Sequence, residues 1–212
     1  MSNNFDQVAF AYDRLARLIF GRSINLAQDC FLEEAPSSAS VLILGGGSGR
    51  VLTELLSRKP KAKITYLEAS QTMLDLTRER LKHWPEAQVN LIKGTEQYLS
   101  KGQYQFDVAI TQFVLDVYEP TELQKAMALL DQSLKPSGKW IFADFCLSTP
   151  WCHRWWQWVL VKLMYWFFAI TTNIKARSLG DFRDHFRTIG WKSKKSKKFY
   201  SGMIVAEILQ KS

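Results

Sequence analysis

A cluster of glycines between an apolar run and a helix-like stretch is the first feature of this sequence with a chemical use. Gly45, Gly47 and Gly49 directly follow the apolar run 41–44. Glycine allows the backbone to approach a ligand closely and to adopt positive φ, and the start of the following helix attracts anionic groups. Glu68 ends the next apolar run, where a carboxylate can accept hydrogen bonds from ribose hydroxyls. These residue types and spacings predict a site for a ligand that contains a nucleoside.

The glycine spacing distinguishes between two kinds of nucleotide site. A dinucleotide site needs the pattern G-x-G-x-x-G, which fails because Arg50 stands at the last position. The pattern G-x-G-x-G does fit, from Gly45 to Gly49. An NAD-linked oxidoreductase is therefore disfavoured. A glycine-rich turn that binds nothing remains an alternative for the pattern taken alone.

Strands and helices alternate in the part of the chain that would hold these residues. Short apolar runs predict strands, and the stretches between them predict helices that end near Arg58, His83 and Leu134, with a turn after the last. The strands are expected at 41–44, 63–67, 88–92, 106–111 and 139–145, and the turn at 135–138. This alternation predicts a doubly wound, mostly parallel α/β sheet, with its ligand at the carboxyl ends of the strands.

Both ends of the chain add elements to this core. Apolar spacings of three and four predict a helix over 5–20, and a second helix follows over 23–33. A further helix over 181–189 precedes two strands, 191–199 and 203–209, which predict an antiparallel hairpin at one edge of the sheet. A single domain, 1–212, is expected, with an N-terminal helical cap (1–35), a core (36–150), an aromatic helical insertion or lid (151–189) and a terminal β-hairpin (190–212).

Five motifs of the core, taken in order, resemble those of class I S-adenosylmethionine-dependent methyltransferases. The likeness covers roughly residues 40–145 and is specific for the superfamily, although it does not specify the substrate. The motifs are 41–49, Glu68 with Ser70 and 73–74, 93–96, 106–115, and 134–139. The resemblance implies a Rossmann-like seven-stranded sheet, S-adenosylmethionine as cofactor, S-adenosylhomocysteine as product, and no metal.

The resemblance also implies which residues contact the methionine part of the cofactor. Gly45, Gly47 and Gly49 would line it, and Gln112 would lie beneath it near the sulfonium. Tyr12 matches an N-terminal element that covers the cofactor in related enzymes.

At the nucleoside part, the resemblance implies that Glu68 holds the ribose and that Thr95 and Glu96 lie beside the adenine. Two positions depart from the family pattern. Ile43 stands where the first motif usually has an acid that supports the methionine amino group, and Thr95 stands where Asp is frequent. These departures predict weakened cofactor affinity, and they keep open the alternative of a non-catalytic binding protein with this fold.

Two residues are candidates for a general base, which methyl transfer needs only if the nucleophile must lose a proton. Asp116 follows the fourth predicted strand, and His153 begins the aromatic segment. A structural role is favoured for each. Asp116 is expected to cap a turn before Pro120, and His153 to lie exposed on a helix.

The aromatic segment 155–170 is strongly apolar but contains Lys162, and it is shorter than the roughly 20 residues that a membrane-spanning helix needs. It is expected to pack as core, to form a lid over the acceptor or to lie in a membrane interface. The layout resembles the branch with quinone-biosynthesis C-methyltransferases and phospholipid N-methyltransferases. That branch implies a small, apolar or lipid-like acceptor.

The net charge of +8 is concentrated in the last third of the chain, where residues 151–212 contain 12 Lys and Arg against 3 Asp and Glu. The lysine-rich run 192–198 predicts either an exposed edge strand, where lysines discourage aggregation, or contact with an anionic membrane. A nucleic-acid methyltransferase is a disfavoured alternative, because no nucleic-acid module is recognisable.

The cysteines and histidines predict a protein of a reducing compartment without a metal site. The three cysteines form no CxxC pair, the histidines lack ligand spacing, and no secretory signal is visible at the start. A cytoplasmic protein is expected, with a peripheral position at the membrane as an open alternative, while the oligomeric state is not indicated.

Overall fold

One sheet of seven strands organises residues 22–145 and 182–212, which are the residues that the computed structural model describes. The strands are β1 (Ser40–Leu44), β2 (Lys63–Glu68), β3 (Gln88–Lys93), β4 (Phe106–Gln112), β5 (Leu134–Phe145), β6 (Trp191–Phe199) and β7 (Ile204–Lys211). Their order in the sheet is β3-β2-β1-β4-β5-β7-β6. The first five strands are parallel to one another, whereas β7 is antiparallel to both β5 and β6. The predicted fold, with its antiparallel hairpin at one edge, is confirmed.

Helices cover both faces of this sheet. They are α1 (Arg22–Asp29), α2 (Arg50–Arg58), α3 (Gln71–Leu81), α4 (Pro120–Ser133) and α5 (Phe182–Thr188), with short 3-10 helices at Leu32–Glu34, Glu96–Lys101, Leu115–Val117 and Tyr200–Gly202. Local sequence signals set the helix starts. The Ser70 hydroxyl accepts a hydrogen bond from Met73 N (3.3 Å) at the start of α3, and Pro120 occupies the first turn of α4.

Two apolar clusters, one on each face, form the core. Helices α1, α2 and α3 pack on one face. On the other face, α4 and α5 pack against an aromatic group in which Trp140 meets Phe186 and Trp191 edge to face. The two indole N–H groups are satisfied, by Thr111 Oγ1 (2.8 Å) and Asp131 Oδ1 (2.7 Å). Burial on both faces explains why the central strands are continuous apolar runs.

The structure corrects two predicted boundaries. The turn expected at 135–138 belongs to β5, which begins at Leu134. Leu134 pairs with Phe106, and the next pair joins Lys139 to Val108, so the residues between form an irregularity within the strand. The helix expected over 23–33 ends at Asp29, because the chain turns before the separate 3-10 helix. The helix predicted over 5–20 and most of the aromatic insertion lie outside the described residues.

The hairpin places β6 at the outer edge of the sheet, as predicted for the lysine-rich run. Each residue from 192 to 198 is exposed. In the described part of the chain, no helix combines the length and the apolar character that crossing a membrane requires.

Candidate cofactor site

The carboxyl ends of β1, β2 and β4 bring most of the predicted cofactor residues to one place. Leu44 pairs with both Leu67 and Thr111, so the residues after these positions emerge side by side. The segment after β3 joins them, because Gly94 N donates to Glu68 O (3.0 Å). We call the space bounded by residues 45–49, Glu68, 94–96 and Gln112 the strand-end site.

The glycine loop has the backbone that its sequence predicts. Gly45, Gly47 and Gly49 have φ of 65°, 62° and 82°, which is left-handed space that favours glycine. A Cβ on Gly45 would lie 2.4 Å from Val114, and one on Gly49 would lie 2.8 Å from Thr77. A Cβ on Gly47 would meet nothing within 4 Å. The loop is therefore packed at both ends and open at its centre, on the side where a ligand could approach.

Gly47 is held on both sides by polar side chains of the neighbouring strand and helix. Its N–H donates to Glu68 Oε2 (2.9 Å), and its carbonyl accepts from the Tyr66 hydroxyl (2.7 Å) and from Thr77 Oγ1 (3.1 Å). Burial raises the pKa of Tyr66 above its ordinary value, so this hydroxyl stays protonated as a donor. Glu68 Oε1 also accepts from Ser70 N (2.9 Å). The carboxylate expected to hold a ribose is thus fixed beside the loop.

Sequence reasoning missed three residues of this loop support. Tyr66 and Thr77 hold Gly47, and Gly46 fits against the ring of Tyr66, since a Cβ there would lie 2.3 Å from the ring. The G-x-G-x-G pattern does not include Gly46. A signal for Tyr66 was present, because it lies two residues before Glu68 on the same strand, and residues i and i+2 of a strand share a face.

Gln112 lies buried at the end of β4, with one half of its amide paired and the other unpaired. Its Nε2 donates to Gln28 O of α1 (2.9 Å), whereas its Oε1 is buried and has no partner in the described part of the chain. Because a carbonyl oxygen cannot donate to Gln28 O, the amide orientation is determined by this contact. The unpaired acceptor requires a donor, and a ligand can supply one. Ile43, at the position of the usual motif acid, is buried in the apolar core.

Arg50, the residue that excludes the dinucleotide pattern, binds α1 to the start of α2. Its guanidinium donates to Gln28 Oε1 (2.8 and 3.1 Å) and to both carboxylate oxygens of Asp29 (2.7 and 3.2 Å). Arg58 adds a hydrogen bond to Asp29 O (2.9 Å). Two arginines of α2 therefore fix the helix whose Gln28 carbonyl orients Gln112.

Thr95 and Glu96 lie where the chain leaves β3, but their side chains are already engaged. Thr95 is exposed, and its Oγ1 accepts from Gln97 N (3.4 Å) at the start of the 3-10 helix. Glu96 is buried and accepts a hydrogen bond from the Tyr118 hydroxyl. Burial, followed by this contact, raises the pKa of Tyr118 above its ordinary value. Glu96 thus connects the predicted adenine segment to the loop after β4.

Two carboxyl groups lie near each other where β4 and β5 end. Asp116 is in the 3-10 helix after β4, and burial raises its pKa to about 6. Asp144, which sequence reasoning missed, is fully buried in β5. Burial raises the pKa of Asp144 well above its ordinary value, and the charge of Asp116 raises it further. Asp144 Oδ1 accepts from Phe145 N (2.9 Å), while its Oδ2 has no partner among the described residues.

Asp116, which is expected to cap a turn before Pro120, lies inside the 3-10 helix Leu115–Val117, and its role as a cap stays a prediction. No side chain caps α4, whose preceding residue is Glu119. The backbone turns sharply before Asp116 because Phe113, although not a glycine, has φ of 56°. Such backbone costs energy and concentrates at functional sites. Tyr12 and His153 lie outside the described residues, and within those residues no group of three His, Cys, Asp or Glu is placed to hold a metal.

Comparison with known proteins agrees with this geometry. Residues 41–138 match the family model of the methyltransferase domain. The chain is 31% identical over 103 residues to a polyamine aminopropyltransferase of Aeropyrum pernix, covering 45% of this chain and 32% of that protein. It is 27% identical over 144 residues to a ubiquinone/menaquinone biosynthesis C-methyltransferase of Dinoroseobacter shibae, covering 66% of this chain and 57% of that protein. The chain thus spans about half or less of the length of these two relatives.

A solved structure is similar in fold to this chain. It is the 1,6-didemethyltoxoflavin-N1-methyltransferase of Burkholderia thailandensis, solved with bound 1,6-didemethyltoxoflavin and S-adenosylhomocysteine. The TM-score is 0.65 at 16% identity, covering 100% of this chain and 91% of that chain. Together with the ordered motifs and the strand order, these matches confirm the resemblance seen in the sequence: residues 41–138 are similar to the core of a class I methyltransferase domain.

Proposed function

We propose that this protein transfers a methyl group from S-adenosylmethionine to a small, apolar acceptor at the strand-end site. One observation carries the proposal: a rigidly held glycine loop, open at Gly47, lies beside a buried carboxylate and a buried carbonyl oxygen that has no partner among the described residues. Bound there, S-adenosylmethionine would supply a methyl group on a positively charged sulfonium. The fold and the family model support this class of reaction.

The residues of the strand-end site fit the cofactor at its nucleoside end. Glu68 supplies carboxylate oxygens with more than one lone pair each, beside the loop where the family places a ribose. Glu96 and Thr95 adjoin it through the contact of Gly94 with Glu68 O. The fixed position of Gly47 means that little loop ordering would be needed on binding, which favours affinity.

At the methionine end, Gln112 Oε1 is the acceptor that we assign to the amino group. An ammonium is a donor without acceptor capacity, which suits a buried carbonyl oxygen without a donor in the described part of the chain. Gln112 would therefore replace, in part, the acid that is absent at Ile43. A neutral amide binds a cation less strongly than a carboxylate does, so the affinity should be lower than in relatives that retain the acid.

Asp116 is the base that we propose for acceptors that must lose a proton. A pKa of about 6 leaves its carboxyl mostly ionised at neutral pH and close to the value at which proton transfer is efficient. Asp144 would act as a positioning residue, because its carboxyl lies beside Asp116 and near the backbone of Leu115 and Asp116. If the acceptor needs no deprotonation, alignment and exclusion of water are sufficient.

The apolar nature of the acceptor is supported by the aromatic composition of 151–170 and by the quinone-biosynthesis name of one relative. A peripheral position at a membrane, where such acceptors partition, is compatible with this assignment. The alternative of a binding protein without catalysis is motivated by Ile43, and turnover on any acceptor excludes it.

The decisive experiment is calorimetric titration with S-adenosylhomocysteine, its 2′-deoxy analogue and NAD. We expect S-adenosylhomocysteine to bind and NAD not to bind. E68Q should weaken binding about 10- to 100-fold, as for a lost hydrogen bond to a charged group. Removal of a ribose hydroxyl should weaken binding to the wild type but not further to E68Q.

The analogue separates contact from structure, because E68Q also loses a backbone acceptor in the loop. If E68Q and the deoxy ligand weaken binding additively, Glu68 supports the loop without touching the ribose. If S-adenosylhomocysteine does not bind the wild type at all, the proposed function is wrong. A positive titration justifies a screen of quinone-like and lipid acceptors for methyl incorporation.

A further inference from the structure

The outer strand of the sheet carries a line of positive charge. Within the described residues, β6 pairs only with β7, and each residue from 192 to 198 is exposed. Five of these seven positions are lysines: Lys192, Lys194, Lys195, Lys197 and Lys198. At about 3.3 Å per residue they extend over roughly 20 Å. We call this row the lysine edge.

Three of the five charges have no ion-pair partner among the described residues. Lys195 forms an ion pair with Glu34, and the Lys197 ammonium lies 5.8 Å from the ring centroid of Phe31. Lys192, Lys194 and Lys198 form no ion pair in the part of the chain that the structure describes. Uncompensated like charges repel one another, and an anionic surface relieves that repulsion.

Addition of another strand to this edge is opposed by its backbone and its charge. Pairing of β6 with β7 shifts register between Ser193 and Lys195, which leaves Lys194 in a bulge. Bulges and lysines on an edge strand hinder pairing with a further chain. A second copy of this protein would also bring its own lysines against these. The lysine edge is therefore suited to a partner with an anionic surface rather than to one that adds a hydrogen-bonded strand.

The surroundings of the lysine edge favour lipid over nucleic acid. Single-stranded nucleic acid binds where exposed aromatic rings stack on bases, but the large hydrophobic side chains exposed on the described residues are Leu26, Leu76 and Val117. Leu26 is 55% exposed on α1, which packs against β6 and β7. An exposed leucine near lysines is the combination that an anionic lipid interface accepts. We propose that the lysine edge docks the protein on an anionic lipid membrane.

This proposal is independent of the proposed function, since it concerns a different edge of the sheet. The test is co-sedimentation of the full chain with phosphatidylglycerol vesicles and with phosphatidylcholine vesicles. The variant K192Q/K194Q/K198Q removes the three unpaired charges. The control K61Q/K101Q/K125Q removes the same charge from exposed lysines without ion pairs elsewhere on the described surface. Thermal melts establish that both variants are folded.

We expect salt-sensitive binding to phosphatidylglycerol vesicles only. Each lysine of the edge should contribute about fivefold, so the edge variant should bind on the order of 100-fold more weakly, whereas the control should change by no more than about twofold. Equal losses in both variants would mean that net charge alone attracts the protein, and would overturn the proposal. So would an absence of vesicle binding, or lysine-dependent binding to single-stranded RNA in its place.

Discussion

Asp144 is a residue whose charge the fold opposes strongly. It is fully buried, one of its oxygens has no partner among the described residues, and its neighbour Asp116 is also acidic. Asp107 is the contrasting case. Burial opposes its charge, but hydrogen bonds from Lys135 and Ser40 hold the pKa of Asp107 below its ordinary value. In their charged forms, Asp144 therefore destabilises the fold and Asp107 stabilises it.

The variant D144N should be more stable than the wild type at pH 8. The unfolded chain loses the Asp144 proton near the ordinary value of 3.8, while the folded chain keeps it to higher pH. The folded state thus binds more protons, and its stability falls as pH rises above about 4. The gain should be on the order of 1 kcal/mol for each pKa unit, measured by urea unfolding at pH 5 and pH 8.

D107N provides the opposite control. The lowered pKa of Asp107 stabilises the fold above pH 3.8, and this contribution is lost as pH falls through the folded value. The variant should therefore be less stable than the wild type at neutral pH and nearly equal to it at low pH. If D144N changed the free energy of unfolding equally at pH 5 and pH 8, the pKa of the Asp144 carboxyl would not be raised in the folded protein.

At this scale the sequence predicts residues whose role depends on their own chemistry. Glu68 and the three glycines of the pattern could be found because a carboxylate at a strand end and positive φ each leave a local signal. Tyr66 and Gly46 could not be paired in advance, because their contact depends on how β2 packs beside the loop. Asp144 lies within the apolar strand β5, and its proximity to Asp116 depends on tertiary packing that the sequence does not show.

At the scale of elements, α1 is a short helix fastened to the core by polar contacts as well as by Ala27. Arg50 and Arg58 bind its last residues, and its Gln28 carbonyl orients Gln112. The helix therefore connects the position of α2 to the strand-end site. Its motion would release the amide that we assign to the methionine amino group.

R50K should loosen α1 and expose Cys30, which follows it. An ammonium cannot reproduce the planar double contact with Gln28 and Asp29, so about 1 kcal/mol of local stability should be lost. Burial raises the pKa of Cys30 to about 11, which makes the thiol slow to react in the closed state. Alkylation of Cys30, followed by peptide mass spectrometry, should be faster in R50K.

R78K is the matched control for this prediction. Arg78 pairs with Asp75 on α3, where both side chains are at least half exposed, and exposed pairs contribute little. The rate of alkylation of Cys30 should be the same in R78K as in the wild type. Equal acceleration in both variants, or none in R50K, would contradict a role for Arg50 in holding α1.

The order and type of the described elements could be predicted because apolar residues recur with different periods in strands and in helices. Capping residues such as Ser70 also mark helix starts. Boundaries that depend on tertiary pairing could not. Residues 135–138 have the composition of a turn, yet Leu134 pairs with Phe106 and begins the strand before the irregularity. Pairing with β4 overrides the local preference there.

At the scale of the whole molecule, the sheet separates two surfaces with different chemistry. The strand-end site lies where β1, β2 and β4 end, whereas the lysine edge is four strands from β1 along the sheet. At about 4.8 Å between strands, the lateral separation is roughly 19 Å. At this distance a membrane could contact the lysine edge while the strand-end site stays open to its ligand.

Hydrogen exchange of the full chain should resolve the two surfaces. S-adenosylhomocysteine should slow exchange in residues 45–49 and 112–117, where backbone groups approach the ligand, and leave 192–198 unchanged. Phosphatidylglycerol vesicles should slow exchange in 192–198, whose outward amides face no further strand of the described residues, and leave 45–49 unchanged. Protection of both regions by either ligand would show that binding at one surface alters the other, because exchange reports local opening wherever it occurs. Separate protection would establish that cofactor binding and membrane docking are independent properties of the same sheet.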